Sequence, residues 1–154
     1  ACGGGGKGAL LPSQENNILY LNFSSKTFFI PPLTSKTTKF LSLPLPPGLK
    51  IEMSMDKLEG TIDKNSGEVL FKFESKFILS IGSIITFPYL LVKTNLMTGE
   101  VKGHRHEGKG LALQKTGQTK LVGVSKIPRT GNKFLDTFLC LPNEALAELQ
   151  CEIK

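Results

Sequence analysis

Short alternations of apolar and polar residues, rather than a helical period, dominate this chain. The clearest unit spans residues 49–79, where the stretches LKIEMSM and LEGTID each alternate before a Lys-Asn-Ser-Gly turn at 64–67. After the turn, Val69, Phe71 and Phe73 point to one face and the intervening residues point to the other. This pattern predicts a hairpin whose second strand is half buried in an antiparallel sheet.

Further strand and turn signals extend this pattern along the chain. NILYLNF at 17–23 predicts a strand, and Thr-Gly pairs at 98–99, 116–117 and 130–131 each lie between apolar segments. We expect successive hairpins at these turns, one of them pairing 111–113 with 120–124. The predicted fold is all-β, an antiparallel barrel or sandwich of about eight to ten short strands.

The C-terminal region allows two kinds of element. Pro142 and Asn143 predict a short helical turn with Asn143 as the N-cap. Leu149, Cys151 and Ile153 alternate and predict a final strand. We therefore expect one helical turn followed by a strand.

The N-terminal region predicts a two-part organisation. Residues 1–16, which include four consecutive glycines, predict a flexible Gly-rich leader, and residues 17–154 predict a single β domain. The start, Ala1 followed by Cys2, resembles the end left by removal of a plastid transit peptide. That resemblance implies a chloroplast protein, either stromal or thylakoid-associated. The Gly-rich stretch also resembles the tether of bacterial lipoproteins, although there the mature chain begins at the cysteine.

Charge is distributed unevenly along the chain. Residues 77–92, FILSIGSIITFPYLLV, carry no charge, whereas residues 93–133 hold nine Lys and Arg but only two acids. An apolar run beside a basic block predicts an anionic partner surface. The candidate residues for binding such a surface are Lys93, Lys102, Arg105, Lys109, Lys115, Lys120, Lys126 and Arg129, with Lys133 closing the block.

The apolar run supplies the second half of this hypothesis. We expect shallow apolar contact from Phe87, Pro88, Tyr89 and Leu90. The run has 16 residues and contains Pro88, so it is too short and too interrupted for a helix that spans a bilayer. The alternative is that residues 77–92 form two buried strands and the charges are merely solvated.

The predicted function is therefore non-catalytic binding. The favoured partner is an anionic membrane surface, a membrane-associated complex or an acidic protein, and a lipid or other hydrophobic small molecule held in a barrel is a further hypothesis. A nucleic-acid or assembly factor using residues 93–133 is less favoured, because no aromatic residue lies between Tyr89 and Phe134 to stack on bases.

Enzymatic chemistry has little support in the residues. His104 and His106 form an HxH motif that resembles the one in cupins, which implies a metal site or a small barrel enzyme with Glu107 nearby. No other histidine completes such a set, and a polar hairpin loop is the alternative interpretation. We predict no catalytic residue, no metal and no cofactor.

The three cysteines do not form a disulfide framework. Cys140 lies in the apolar stretch FLCL and is predicted to be a small core residue. Pairing of Cys140 with Cys151 stays open at this point, because it requires the two residues to face each other.

Overall fold

The computed structural model describes residues 4–11, 17–34, 39–40, 43–44 and 46–154. These residues form an all-β fold with one short helix, as the sequence predicted. The elements are β1 Gly8–Leu11, β2 Ile18–Phe23, β3 Leu33–Thr34, β4 Lys39–Phe40, β5 Leu43–Pro44, β6 Leu49–Asp63, β7 Val69–Ile81, β8 Ile85–Thr86, β9 Leu90–Met97, β10 Glu100–Lys102, β11 Glu107–Lys109, β12 Gln118–Ile127, α1 Lys133–Phe138 and β13 Asn143–Glu152.

One antiparallel sheet of nine strands forms most of the molecule. Its main path runs β1-β2-β6-β7-β9-β12-β13, with β3 beside β6 and β8 beside β7. Two small ribbons, β10-β11 and β4-β5, lie outside this sheet. Among the described residues the end strands β1 and β13 do not pair with each other, so the sheet is sandwich-like rather than a closed barrel.

The hairpin predicted around residues 64–67 is confirmed. Gly67 adopts a φ of +75°, and β6 and β7 pair on both sides of the turn. Val69 and Phe71 are buried, and Phe73 packs against the same core, as the alternation predicted. Such a turn favours glycine because other residues are strained at positive φ.

β6 is longer than the sequence pattern suggested. Its two alternating stretches form one strand of 15 residues with a β-bulge between Met55 and Lys57. The extra residue at the bulge moves the inward positions from odd numbers, such as Ile51 and Met55, to even numbers, such as Leu58 and Ile62. Both halves therefore bury their apolar side chains on the same face of the sheet.

The core is divided between the two ends of the long strands. One cluster lies towards the turn at 64–67 and contains buried residues of β6, β7, β9 and β12, among them Phe71 and Leu96. The other lies towards the far end of β7 and includes Leu79 and Leu90 together with Leu135 and Leu139 from the α1 region. Helix α1 therefore covers the end of the sheet that β8 also occupies.

The helix differs in position from the sequence prediction. Asn143 begins β13 instead of capping a helix, and the prediction of a helical turn there is wrong. The N-cap of α1 is Asn132, whose side-chain oxygen accepts a hydrogen bond from the Leu135 backbone N–H at 2.9 Å. Residues 143–152 pair with β12 along its whole length, and this ladder outweighs the local helix signal.

The cysteines differ from their predicted environments. Cys140 is exposed at a φ of +55°, so its prediction as a core residue is wrong; Leu139 and Leu141 on either side are buried instead. In the described part, Cys140 and Cys151 are both free thiols.

Part of the predicted leader has regular structure. Gly8–Leu11 forms β1 and pairs with β2, whereas residues 1–3 and 12–16 lie outside the described part of the chain.

In the described part of the chain, α1 does not have the length or the hydropathy of a helix that spans a bilayer.

Candidate docking surface

The uncharged run at 77–92 divides into buried and exposed parts. β7 ends at Ile81, the chain turns at Gly82 with a φ of +57°, and β8 returns so that Ile85 pairs with Ile81. Ile84, at the end of this hairpin, is 90% exposed, and Ile85 is 46% exposed. The hairpin thus presents isoleucine side chains to solvent with no charged residue in the segment.

Three aromatic rings lie next to this exposed surface. Phe87 follows the hairpin, and its ring stacks on Phe134 of α1 with a centroid separation of 5.6 Å. Phe134 stacks in turn on Phe138 at 6.0 Å. Leu135 is fully buried and fixes the adjacent side of the helix in the core, while Phe134 and Phe138 stay exposed. We call Ile81, Ile84, Ile85, Phe134 and Phe138 the apolar tip.

The four residues predicted for apolar contact occupy different environments. Pro88 and Tyr89 are exposed, and the Lys76 ammonium lies 5.3 Å above the Tyr89 ring. Phe87 is partly buried, since its inner side packs against the core. Leu90 is buried in that core, which corrects its assignment as a contact residue: β9 alternates, and Leu90 and Val92 both point inward.

The predicted basic residues do not form one continuous surface. Lys93 pairs with Glu74 at 3.7 Å, Lys109 with Glu100 at 3.2 Å and Lys120 with Glu148 at 3.2 Å. These contacts join neighbouring strands and offset part of each positive charge.

Two other predicted cations lie at different ends of the sheet. Lys102 is exposed at the end of β10, directly before the turn that carries Arg105. Lys115 lies in the turn closed by the hydrogen bond from Gly117 N–H to the Gln114 carbonyl, at the end of β12 opposite α1. The sequence alone could not separate Lys115 from the rest of the basic block, because chain proximity does not fix position on a folded sheet.

Four cations do come together near α1. Arg105 and Lys126 line a depression of about 190 Å³, and Arg129 and Lys133 line a second one of about 500 Å³. Pro142 borders the first and Leu141 the second, so the depressions flank one short corner of the chain. Within the described residues none of the four forms an ion pair. We call Arg105, Lys126, Arg129 and Lys133 the basic cluster.

Glu144 fixes the loop that carries Arg105. Its carboxylate accepts hydrogen bonds from the backbone N–H groups of His104, Arg105 and His106 at 2.8–2.9 Å. These bonds, led by the one from Arg105 N–H, hold the pKa of Glu144 below its ordinary value because they stabilise the carboxylate. A side chain at Gly103 would displace this carboxylate, since its Cβ would overlap the Glu144 oxygens.

This arrangement also shows the environment of the HxH motif. His104 and His106 lie in the turn between β10 and β11, and both are exposed. The backbone N–H groups of both histidines donate to the Glu144 carboxylate, and these bonds hold the turn in place. In the described part of the chain, no three or more His, Cys, Asp and Glu side chains are grouped to hold a metal ion.

Asp136 fixes the turn that carries Arg129. One carboxylate oxygen accepts the Thr130 hydroxyl at 2.7 Å and the Thr130 N–H at 2.8 Å, and the other accepts the Gly131 N–H at 3.2 Å. The Thr130 hydroxyl contributes most to holding the pKa of Asp136 below its ordinary value, and Arg129 adds to this effect. The acceptor atoms of Asp136 are thus used within the turn.

Sequence reasoning missed Phe134 and Phe138 as surface residues. The signal was present in the sequence. Phe134 and Phe138 are four residues apart and follow Asn132, a good N-cap, so a helix that begins there carries both rings on one side. Their exposure, however, depends on Leu135 and Leu139 filling the core, which is a tertiary property.

Comparison of the chain with protein-family models, with curated proteins and with solved structures found no significant match.

Proposed function

We propose that the protein docks on an anionic membrane surface by inserting the apolar tip shallowly while the basic cluster contacts lipid headgroups. The observation that carries this proposal is the position of both features at the α1 end of the sheet. Ile84 is almost fully exposed on a hairpin end, and Lys133 directly precedes Phe134 on α1. Amphipathic surfaces of this kind lie in the interface with apolar groups about 5–10 Å deep.

The shape of the apolar tip favours lipid over an acidic protein. Ile84 projects from a two-strand hairpin, and a projecting side chain needs a matching pocket to be buried by a protein. Lipid requires no such pocket, because acyl chains rearrange around the inserted group. The stacked rings of Phe134 and Phe138 suit the apolar side of the interface, because phenylalanine is found on the inserted face of helices that lie in the membrane surface.

The energies are sufficient for reversible docking. Each cation close to an anionic surface contributes about 1 kcal/mol, so the basic cluster supplies about 4 kcal/mol. Full burial of one isoleucine adds about 1.5–3 kcal/mol. Because each 1.4 kcal/mol is a factor of ten in affinity, loss of either contribution is measurable.

The direct test is co-sedimentation with phosphatidylcholine vesicles, with and without phosphatidylglycerol, at about 0.1 M and about 1 M salt. We expect binding only to the anionic vesicles and its loss at high salt. The absence of binding to anionic vesicles at low salt would refute the proposal.

Two charge variants distinguish the basic cluster from net charge. Both lose four positive charges and therefore share the same formal charge. The test variant carries Gln at Arg105, Lys126, Arg129 and Lys133; the control variant carries Gln at Lys93, Lys109, Lys115 and Lys120. We expect a large loss of binding for the test variant and a small one for the control. Equal losses would mean that charge acts without a defined surface.

A matched apolar pair tests insertion. Ile85→Asp, which adds one negative charge, should strongly weaken binding because charged groups resist transfer from water, and the further addition of Ile84→Asp should abolish it. Leu111→Asp is the control: Leu111 is 50% exposed, close to the 46% of Ile85, and bridges Lys120 near the other end of β12. That position is about 23 Å of strand from Ile127, so Leu111→Asp should bind as the unmodified protein does.

A further inference from the structure

The larger of the two depressions has the chemistry of an anion site. It is lined by Arg129, Lys133, Asp136, Thr137, Cys140 and Leu141. Arg129 and Lys133 are exposed cations, and Thr137 adds a hydroxyl. Asp136 is the only carboxylate in this lining, and its oxygens already accept three hydrogen bonds from the 130–131 turn. The remaining groups are mainly donors, which suits a ligand that offers oxygens and no protons.

Helix α1 orders these donors relative to the apolar tip. Lys133 and Thr137 are four residues apart, so they lie one above the other on one side of the helix. Phe134 and Phe138 have the same spacing and lie about 100° further round. If the phenylalanines rest at the boundary of the acyl chains, the ammonium and the hydroxyl face the neighbouring headgroup layer.

We infer that this depression binds the phosphate of a lipid headgroup and prefers a phosphomonoester to a phosphodiester. The inference rests on the proposed function, because the lipid reaches the site only at a membrane. An arginine fork accommodates two oxygens at once, and a lysine and a hydroxyl can take a third. A phosphomonoester has three terminal oxygens, whereas a phosphodiester has two. The depression, at about 500 Å³, has room for a headgroup phosphate.

The first experiment compares two anionic lipids at equal surface potential. Vesicles contain phosphatidylcholine with either phosphatidic acid, a phosphomonoester, or phosphatidylglycerol, a phosphodiester. We expect about tenfold tighter binding to phosphatidic acid, the effect of one additional charge-assisted hydrogen bond. Equal affinity for the two vesicles would overturn the preference.

Paired variants assign the preference to this depression. Arg129→Gln with Lys133→Gln should reduce the affinity ratio to about one. Arg105→Gln with Lys126→Gln removes the same charge from the other depression and should weaken binding to both vesicles while the ratio is retained. A ratio that survives the first pair, or is lost with the second, would place the site elsewhere. All four side chains are exposed, and an unchanged amide spectrum confirms that the fold is intact.

A soluble probe separates this inference from the proposed function. Glycerol 3-phosphate, added without vesicles, should shift the amide resonances of residues 129–137 in the unmodified protein. The Ile84→Asp, Ile85→Asp variant should lose vesicle binding and keep these shifts. Shifts without vesicle binding in the unmodified protein would refute membrane docking and retain the phosphate site; vesicle binding without shifts would refute the phosphate site alone.

Discussion

Gly123 lies where β12 passes β9, and we expect its replacement by alanine to destabilise the fold. A Cβ on Gly123 would lie 2.6 Å from the Asn95 carbonyl oxygen and 2.7 Å from the Thr94 hydroxyl oxygen, whereas ordinary contact begins at 3.4 Å. The same Thr94 hydroxyl donates a hydrogen bond to the Val124 carbonyl at 2.9 Å. Gly123→Ala therefore adds an atom at a close approach and disturbs a bridge between the strands.

Side-chain hydrogen bonds are important between β9 and β12 because the regular backbone ladder between these two strands is short. The register between β9 and β12 contains the pair Val122 and Met97, and the Ser125 hydroxyl adds a bond to the Lys93 carbonyl at 2.9 Å. The contact between β9 and β12 joins the last two strands of the sheet, β12 and β13, to the other seven. A displacement here therefore weakens the attachment of β12 and β13.

The magnitude follows from three opposing contributions. Overpacking a tight site costs about 1–3 kcal/mol, and a lost hydrogen bond costs about 0.5–1.5 kcal/mol. Alanine restricts the unfolded chain and offsets about 0.4–1 kcal/mol. The net loss centres near 2 kcal/mol, which lowers Tm by about 4–8 °C for a protein of this size.

Thermal melting followed by circular dichroism measures the effect. Gly99→Ala is the matched control, because the nearest atom to its Cβ would be the Met97 sulfur at an ordinary 3.9 Å. Ser125→Ala removes the second bridge without adding an atom and should cost about 0.5–1.5 kcal/mol. If Gly123→Ala melts together with Gly99→Ala, the close approach of β9 and β12 cannot be as described.

Three further predictions concern carboxylates and thiols. The lowered pKa of Asp136 contributes stability that is complete above pH of about 4 and is lost as pH falls towards that lowered value, so the stability difference from Asp136→Asn should shrink only in acid; a constant difference from pH 2 to pH 6 would contradict this. Glu144→Gln should speed hydrogen exchange at the amides of residues 104–106 and leave the β6–β7 amides unchanged, which peptide-resolved mass spectrometry can measure. Cys140 should be alkylated faster than Cys151, because Cys140 is exposed and burial raises the pKa of the Cys151 thiol; equal rates would refute this.

Local pattern predicted the elements whose signals were complete within a few residues. The turn at 64–67 and the inward face of Val69 and Phe71 follow from glycine and from period-two alternation. The cap of α1 was missed because two asparagines, Asn132 and Asn143, carry similar local signals. Pairing of β13 with β12 decided between them, and that contact is invisible in a short window.

The candidate surface was predicted only in part. The uncharged run and the basic block are properties of composition, so the sequence identified both. It could not divide the cations into those with a carboxylate partner, such as Lys93, and those that form no ion pair within the described residues, such as Lys126. That division depends on which strands are neighbours, because Glu74 lies opposite Lys93 only when β7 pairs with β9.

The sequence by itself determined the strand class, the turn glycines and the unequal distribution of charge, since each depends on residues close together in the chain. The tertiary structure decided the order of the strands, the bulge that joins the two alternating halves of β6, and the exposure of Ile84 beside the burial of Leu90. These features depend on contacts between distant segments. An isoleucine or leucine has the same preference to be buried wherever it occurs, and only the space available in the core decides which of them remains outside.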